Sequence, residues 1–237
     1  MSTINLLYKN TYEINEHIKI IIPTVGQIIN NEDDYYGIIS LLTAMPIDLI
    51  CELDDMGVDF STINEWDLFL MIFGGLKTQD TSLVFEGLDL SRFEPMVNQQ
   101  NGNLVLRDDE KDITIDRAIY SYIADVLRKI HHLEKNRRKP GNEEAKKYMI
   151  ERAKIKRNRK KRKENSQLES LIVAMVNTEQ FKYNFEQTLD LSIYQFNESV
   201  RQIINKVDYE HKMFGIYSGS ISAKDLKPEE FNWLSHK

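Results

Sequence analysis

The side chains in this sequence that could do acid–base or metal chemistry are numerous but badly spaced for it. Adjacent carboxylates occur at Asp33-Asp34, Asp54-Asp55 and Asp108-Asp109. Neighbours on a helix point about 100° apart, so such pairs do not converge on one substrate atom. They read as solvated surface acids. Asp108 to Lys111 has the composition of a nuclease-type acid/lysine cluster, with nothing else in the chain to complete it. The five histidines are His17, His131, His132, His211 and His236. None pairs with another at the i, i+3 or i, i+4 spacing that helix-borne metal sites use. His131-His132 falls at a predicted helix end, where the macrodipole favours cationic side chains. No GxGxxG, GxxxxGK[ST] or GxSxG pattern is present, which removes the usual phosphate cradles and the serine nucleophile elbow. The single cysteine, Cys51, lies in an apolar helical pattern and reads as a buried, inert thiol. The expectation is a protein without catalytic residues, metal, cofactor or small-molecule substrate.

The strongest signal is charge. Lys135 to Lys163 holds fifteen Lys and Arg against three Glu, whereas the whole chain has 31 basic and 37 acidic residues. The segment is therefore +12 and the remainder −18, an acidic body with a basic rod near its middle. Such asymmetry implies a charged partner. Lys154, Lys156, Arg157, Arg159, Lys160, Lys161, Arg162 and Lys163 are the candidate partner-binding residues. Three readings stand side by side: a solvated helix with a few i, i+3 and i, i+4 pairs, phosphate neutralisation on a nucleic acid, and docking on an acidic protein surface, including another copy of the same chain. Tyr148 is the rod's one aromatic. The rod is expected to project from the body.

The elements that must position this rod are mainly helices. Gly and Pro are scarce, and 41% of the residues are hydrophobic, enough for a real core. No apolar run reaches the roughly 18 residues of a membrane span, and the start lacks the pattern of a signal peptide. A reducing cytoplasm suits the one cysteine. Three segments are expected: 1–76, a hairpin over 12–22 followed by a helical unit; 77–115, a small β-rich insertion; and 116–237, helical. Leu6-Leu7-Tyr8 reads as an extra strand. Asp59 or Ser61 is expected to cap a buried helix that Gly74-Gly75 stops. Thr78 to Phe85 reads as a short helix, and Asn101-Gly102 as the turn of a hairpin. The stripe Ile115, Ile119, Ile123, Val126, Leu127, Ile130 predicts an amphipathic helix. After Pro140-Gly141, Asn142 caps a helix with no breaker until about Asn177. Ser192 caps the last long helix. Leu171, Ile172, Met175, Phe196, Val200, Ile203 and Ile204 are the predicted core between the last two long helices. Phe231, Trp233 and Leu234, so near the end, are expected to dock.

The runs FKYNFEQTLDLSIYQFNESVRQI and GIYSGSISAKDLKPEEFNWLS, with EEAKKYMIERAKIKRNRKKRKENSQLESLIVAMVNT before them, resemble the ends of morphogenesis proteins of tailed bacteriophages. The resemblance covers about residues 145–235 and carries no catalytic motif. It implies a virion or assembly protein of the tail or baseplate, in the particle or in the host cytoplasm during assembly. Its partners would be other phage structural proteins, with a nucleic-acid-binding regulatory or packaging-associated role as the alternative.

Overall fold

The apolar stripe that begins at Ile115 is the spine of the molecule. A computed structural model describes residues 4–99, 101–159 and 166–234. In it the stripe forms α6 (Arg117–Ile130), whose Asp116 side chain accepts from the Ile119 amide at 2.8 Å. Tyr120, Ile123, Val126, Leu127 and Ile130 are all buried.

Around α6 the chain is 55% helical, with ten helices and two small antiparallel sheets among the described residues, a mainly-α, α+β protein as expected. The N-terminal part comprises α1 (Ile4–Tyr8), β1 (Thr11–Glu13), β2 (Lys19–Ile21), α2 (Val25–Ile29), α3 (Glu32–Leu42), α4 (Ile50–Asp55) and α5 (Glu65–Leu76). β1 and β2 pair with Tyr12 opposite Ile20. Then come β3 (Glu94–Val97), β4 (Leu104–Asp108) and β5 (Ile113–Ile115), in the order β3-β4-β5. After α6 follow α7 (Glu143–Arg159), α8 (Gln167–Val176), α9 (Phe185–Asp190) and α10 (Ile193–Tyr217). Residues from all three expected segments meet in one core. Ile18, Phe69, Phe73, Leu106, Ile123, Ile172 and Phe196 belong to the same buried cluster.

Several local expectations give way to packing. Leu6 is buried from a short helix, not a strand. Asn64, rather than Asp59 or Ser61, caps α5, accepting from the amides of Trp66 and Asp67 at 3.0 Å. Gly74-Gly75 does not stop that helix. It continues to Leu76 because Phe73 and Leu76 are buried, which outweighs the roughly 1 kcal/mol that each helical glycine costs. Thr78 to Phe85 is not helical. It serves the first hairpin instead, with the Ile21 amide donating to the Val84 carbonyl at 2.8 Å. The helix from Asn142 does not run unbroken to Asn177. Ser166 has non-helical backbone angles and caps a separate α8, accepting from the Glu169 amide. Glu32, at the start of α3, also accepts from Ser166 Oγ and from the Leu168 amide, pinning the two helix starts together. In the C-terminal core Ile172, Met175 and Phe196 are buried and Leu171, Val200 and Ile203 pack on them, but Ile204 is 59% exposed. The stripe of α10 is one residue narrower than expected on that side.

Candidate interaction surface

The carboxylates flagged in the sequence are engaged in the fold. Asp33 and Asp34 occupy the first turn of α3, where negative charge is favoured. Asp108 is buried, bound by Arg92 Nε at 3.0 Å and by the amides of Glu110 and Lys111. The Arg92 guanidinium holds its carboxyl below the usual range. Lys111 reaches the Gly87 carbonyl at 3.1 Å. The acid/lysine cluster is thus a braced turn. His131 is not a cationic helix cap. It is buried, its Nε2 lies 3.0 Å from the Tyr35 hydroxyl, and burial with neighbouring His132 brings its pKa down to about 3. Burial also lowers His132. Among the described residues no group of three or more His, Cys, Asp or Glu is placed to hold a metal ion.

Asp54, Asp55 and Asp59 do what the sequence did not reveal: they receive the basic helix. α4 ends in Asp54-Asp55, and Asp59 follows a turn in which Gly57 takes φ +70°, a conformation glycine adopts without cost. Lys146 meets Asp59 at 2.5 Å, Arg157 meets Asp55 at 2.7 Å, and Lys154 pairs with Asp54. The Lys146 ammonium and the Ser61 hydroxyl hold the Asp59 carboxyl down at about 2. Between these contacts Met149, Ile150 and Ala153 pack on a second small core of Ala44, Ile50, Leu53, Phe60 and Leu68. The spacing explains this. Residues 146, 149, 150, 153, 154 and 157 fall at i, i+3, i+4, i+7, i+8 and i+11, a single helical stripe. The rod as described therefore lies on the body and does not project from it. Two candidate partner-binding residues, Lys154 and Arg157, are satisfied within the chain.

What remains faces outward. Lys147, Arg152 and Lys156 have no anionic partner among the described residues. Tyr148, 60% exposed, and Ile155, 46% exposed, lie between them on the outer stripe. The side chain of Arg159, and Lys160, Lys161, Arg162 and Lys163 altogether, lie outside the described residues. Upstream, Lys135 is drawn in by Glu65 at 2.6 Å, and Glu65 also pairs with buried Arg128. Arg137, Arg138 and Lys139, joined by Arg117, rim a cleft of about 400 Å³ floored by Pro46, Ile47, Phe60 and Ile63. No counter-ion pairs with these four among the described residues. Among the described residues, folding thus turns a segment charged on all sides into a one-sided cationic surface with apolar patches.

The tail folds back along α10, with Lys212 bridging Asp208 at 2.7 Å and Glu230 at 2.9 Å. These polar contacts hold it together with Ile221, whose side chain packs at Gly215. Phe231, Trp233 and Leu234 stay exposed, Trp233 at the edge of a cleft of about 270 Å³ beside Arg201, Asn205 and Tyr209.

Residues 159–237 match the family model described as the YomV second domain, from a phage-derived, SPbeta-like prophage protein family. The C-terminal third of the chain is thus similar to a phage protein domain, consistent with a phage protein. No curated protein and no solved structure matches the chain. Among the described residues no helix is long and apolar enough to cross a membrane.

Proposed function

We propose that this is a non-enzymatic phage structural or assembly protein, of the tail or baseplate, that docks on acidic partner proteins through the outer face of α7 and the basic cleft beside it. The single observation behind this reading is the sorting of charge. The cations on the inner face of α7 are neutralised by the chain's own aspartates, while Lys147, Arg152 and Lys156 have no such partner among the described residues. Exposed ammonium and guanidinium groups beside Tyr148 and Ile155 suit a partner surface that is acidic with an apolar centre. The resemblance of the C-terminal segment to phage morphogenesis proteins points the same way.

The test is a triple variant, Lys147→Gln with Arg152→Gln and Lys156→Gln. It should keep the wild-type circular dichroism and melting profile, since these side chains have no ion-pair partner among the described residues and exposed charges contribute little to stability. It should be depleted from purified particles relative to wild type. Equal incorporation of the two proteins would overturn the reading. A second reading, a nucleic-acid contact, is favoured by Tyr148 lying within a one-sided cationic stripe, an arrangement able to track phosphates and stack a base. It predicts retention of an oligonucleotide whose logarithmic salt slope falls by roughly 0.9 for each phosphate contact removed.

A further inference from the structure

The small core under α7 is covered on one part and open on another. Met149, Ile150 and Ala153 cover it, flanked by the ion pairs of Lys146, Lys154 and Arg157 with Asp59, Asp54 and Asp55. Ile47 and Ile63 pack on the same core and are only half-buried. With Pro46 and Phe60 they floor the cleft of about 400 Å³, and none of the residues lining that cleft belongs to α7. The docked helix therefore leaves this part of the core uncovered.

The rim of the cleft is set by contacts within the chain. Lys135 is tied to Glu65 at 2.6 Å, and Asn136 donates to Asp48 at 3.4 Å. These two fix the stretch after α6, so that Arg137, Arg138 and Lys139, all exposed, stand at the cleft with Arg117 from the first turn of α6. Among the described residues Glu65 is the one acid in the lining, and Arg128 and Lys135 already pair with it. The cleft is thus an aliphatic floor inside a cationic rim.

We infer that the cleft is the selective anchor of the docking surface proposed above: it takes one large apolar side chain from an acidic segment of a partner protein, whose flanking carboxylates pair with Arg117, Arg137 and Arg138. The inference rests on the acidic-partner reading and adds what the partner must present. Charge and floor together select the occupant. α7 docks on this same core by an apolar stripe flanked by cations that meet aspartates, and the cleft asks for that arrangement with the signs exchanged. Guanidinium forks suit carboxylates at the rim. A phosphate chain alone would leave the aliphatic floor wet. A base would need an open aromatic face, whereas Phe60, the one aromatic in the lining, is 5% exposed. No glycine lines the cleft to bring backbone amides close to phosphate. A volume of about 400 Å³ lies at the low end for ligand pockets, which suits a single side chain rather than a whole helix. The outer stripe of α7 would then add attraction that is indifferent to the partner's apolar residue, while the cleft reads that residue.

The experiment is fluorescence anisotropy on the full chain at low salt with two labelled probes. One is a short peptide of glutamates with leucine at its centre, and the other has alanine there. Wild type should prefer the leucine probe by roughly tenfold, the effect of burying part of a leucine side chain. Thr62 lines the cleft from an exposed position. Thr62→Trp fills the cleft and leaves every charge in place, so it should remove the preference. It should still bind the alanine probe, which shows that the variant is folded. Arg117→Gln with Arg137→Gln and Arg138→Gln should weaken both probes. The triple neutralisation on α7 should also weaken both but leave their ratio at the wild-type value. A wild type that does not bind the leucine probe, or binds the two equally, overturns the inference, and so does a ratio that survives Thr62→Trp. None of these outcomes decides the acidic-partner reading, which stands or falls on incorporation of the α7 variant into particles. Displacement of the leucine probe by a single-stranded oligonucleotide as readily as by unlabelled leucine peptide would assign the cleft to nucleic acid and overturn the inference too.

Discussion

Truncating Ile150 to alanine tests whether α7 is held by its apolar stripe. Alone, α7 would be a poor helix: its 17 residues are little more than the roughly 12–15 at which isolated helices are marginal, and its crowded Lys and Arg repel one another. Ile150 packs on the small core of Leu53, Phe60 and Leu68 and is partly buried. A fully buried Ile→Ala change costs about 2–5 kcal/mol. Scaled to partial burial, Ile150→Ala should cost about 1–2 kcal/mol, roughly a tenfold rise in the open population. The opening should be local, since α7 touches the second cluster and not the main core. Hydrogen exchange measured by peptide should therefore speed up about tenfold over 143–159 while α6 is unaffected. Added salt should speed the same peptides in wild type, because exposed ion pairs are screened. Unchanged exchange over 143–159 in the variant would refute the apolar docking. An equal rise in α6 would refute the local opening.

Two further outcomes follow from buried groups. His131 is held neutral, with its pKa lowered to about 3. The unfolded chain binds a proton below about pH 6.5 that the folded chain refuses, so stability should fall as pH drops from 6.5 towards 3, by up to about 1.4 kcal/mol per unit. His132, also lowered by burial, adds to the slope. Urea midpoints measured between pH 7 and pH 4.5 should fall less steeply in His131→Gln, and an identical slope would remove His131 as the cause. Arg128 is buried and donates to the Thr43 carbonyl at 2.7 Å, to Asp125 and to Glu65. Arg128→Met should cost about 3 kcal/mol in chemical denaturation, because it leaves the carbonyl and Glu65 short of donors. Adding Glu65→Leu should recover part of that loss, and strictly additive losses would argue against the pairing.

The parts of the fold legible in the sequence are those where one periodicity dominates. The α6 stripe, the Ser192 cap and the hairpin around Asn101-Gly102 all depend on near neighbours. Ser192 accepts from the Gln195 amide three residues on, and β3 pairs with β4 across the turn. The misread parts depend on distant partners. Whether Gly74-Gly75 stops a helix is decided by the burial of Phe73 and Leu76. Whether Leu6 is in a strand or a helix is decided by packing on α10, where Gln195 Nε2 reaches the Leu7 carbonyl. Reading His131 as a cationic cap failed because Tyr35, 96 positions away, meets it in the core.

The basic segment shows the same limit in its sharpest form. From composition it is one object, a rod charged all round. Its geometry divides it into two faces with different roles, and the signal for that division was present: Met149, Ile150 and Ala153 sit at helical spacing among the lysines. What the sequence could not supply was the receiving surface. Asp54, Asp55 and Asp59 look like solvated acids until α4 and its Gly57 turn bring them under α7. Once they are there, the interaction surface follows by subtraction. Among the described residues the inner cations are fixed by the body, and the outer stripe and the cleft are the cationic surfaces left to the partner proposed above.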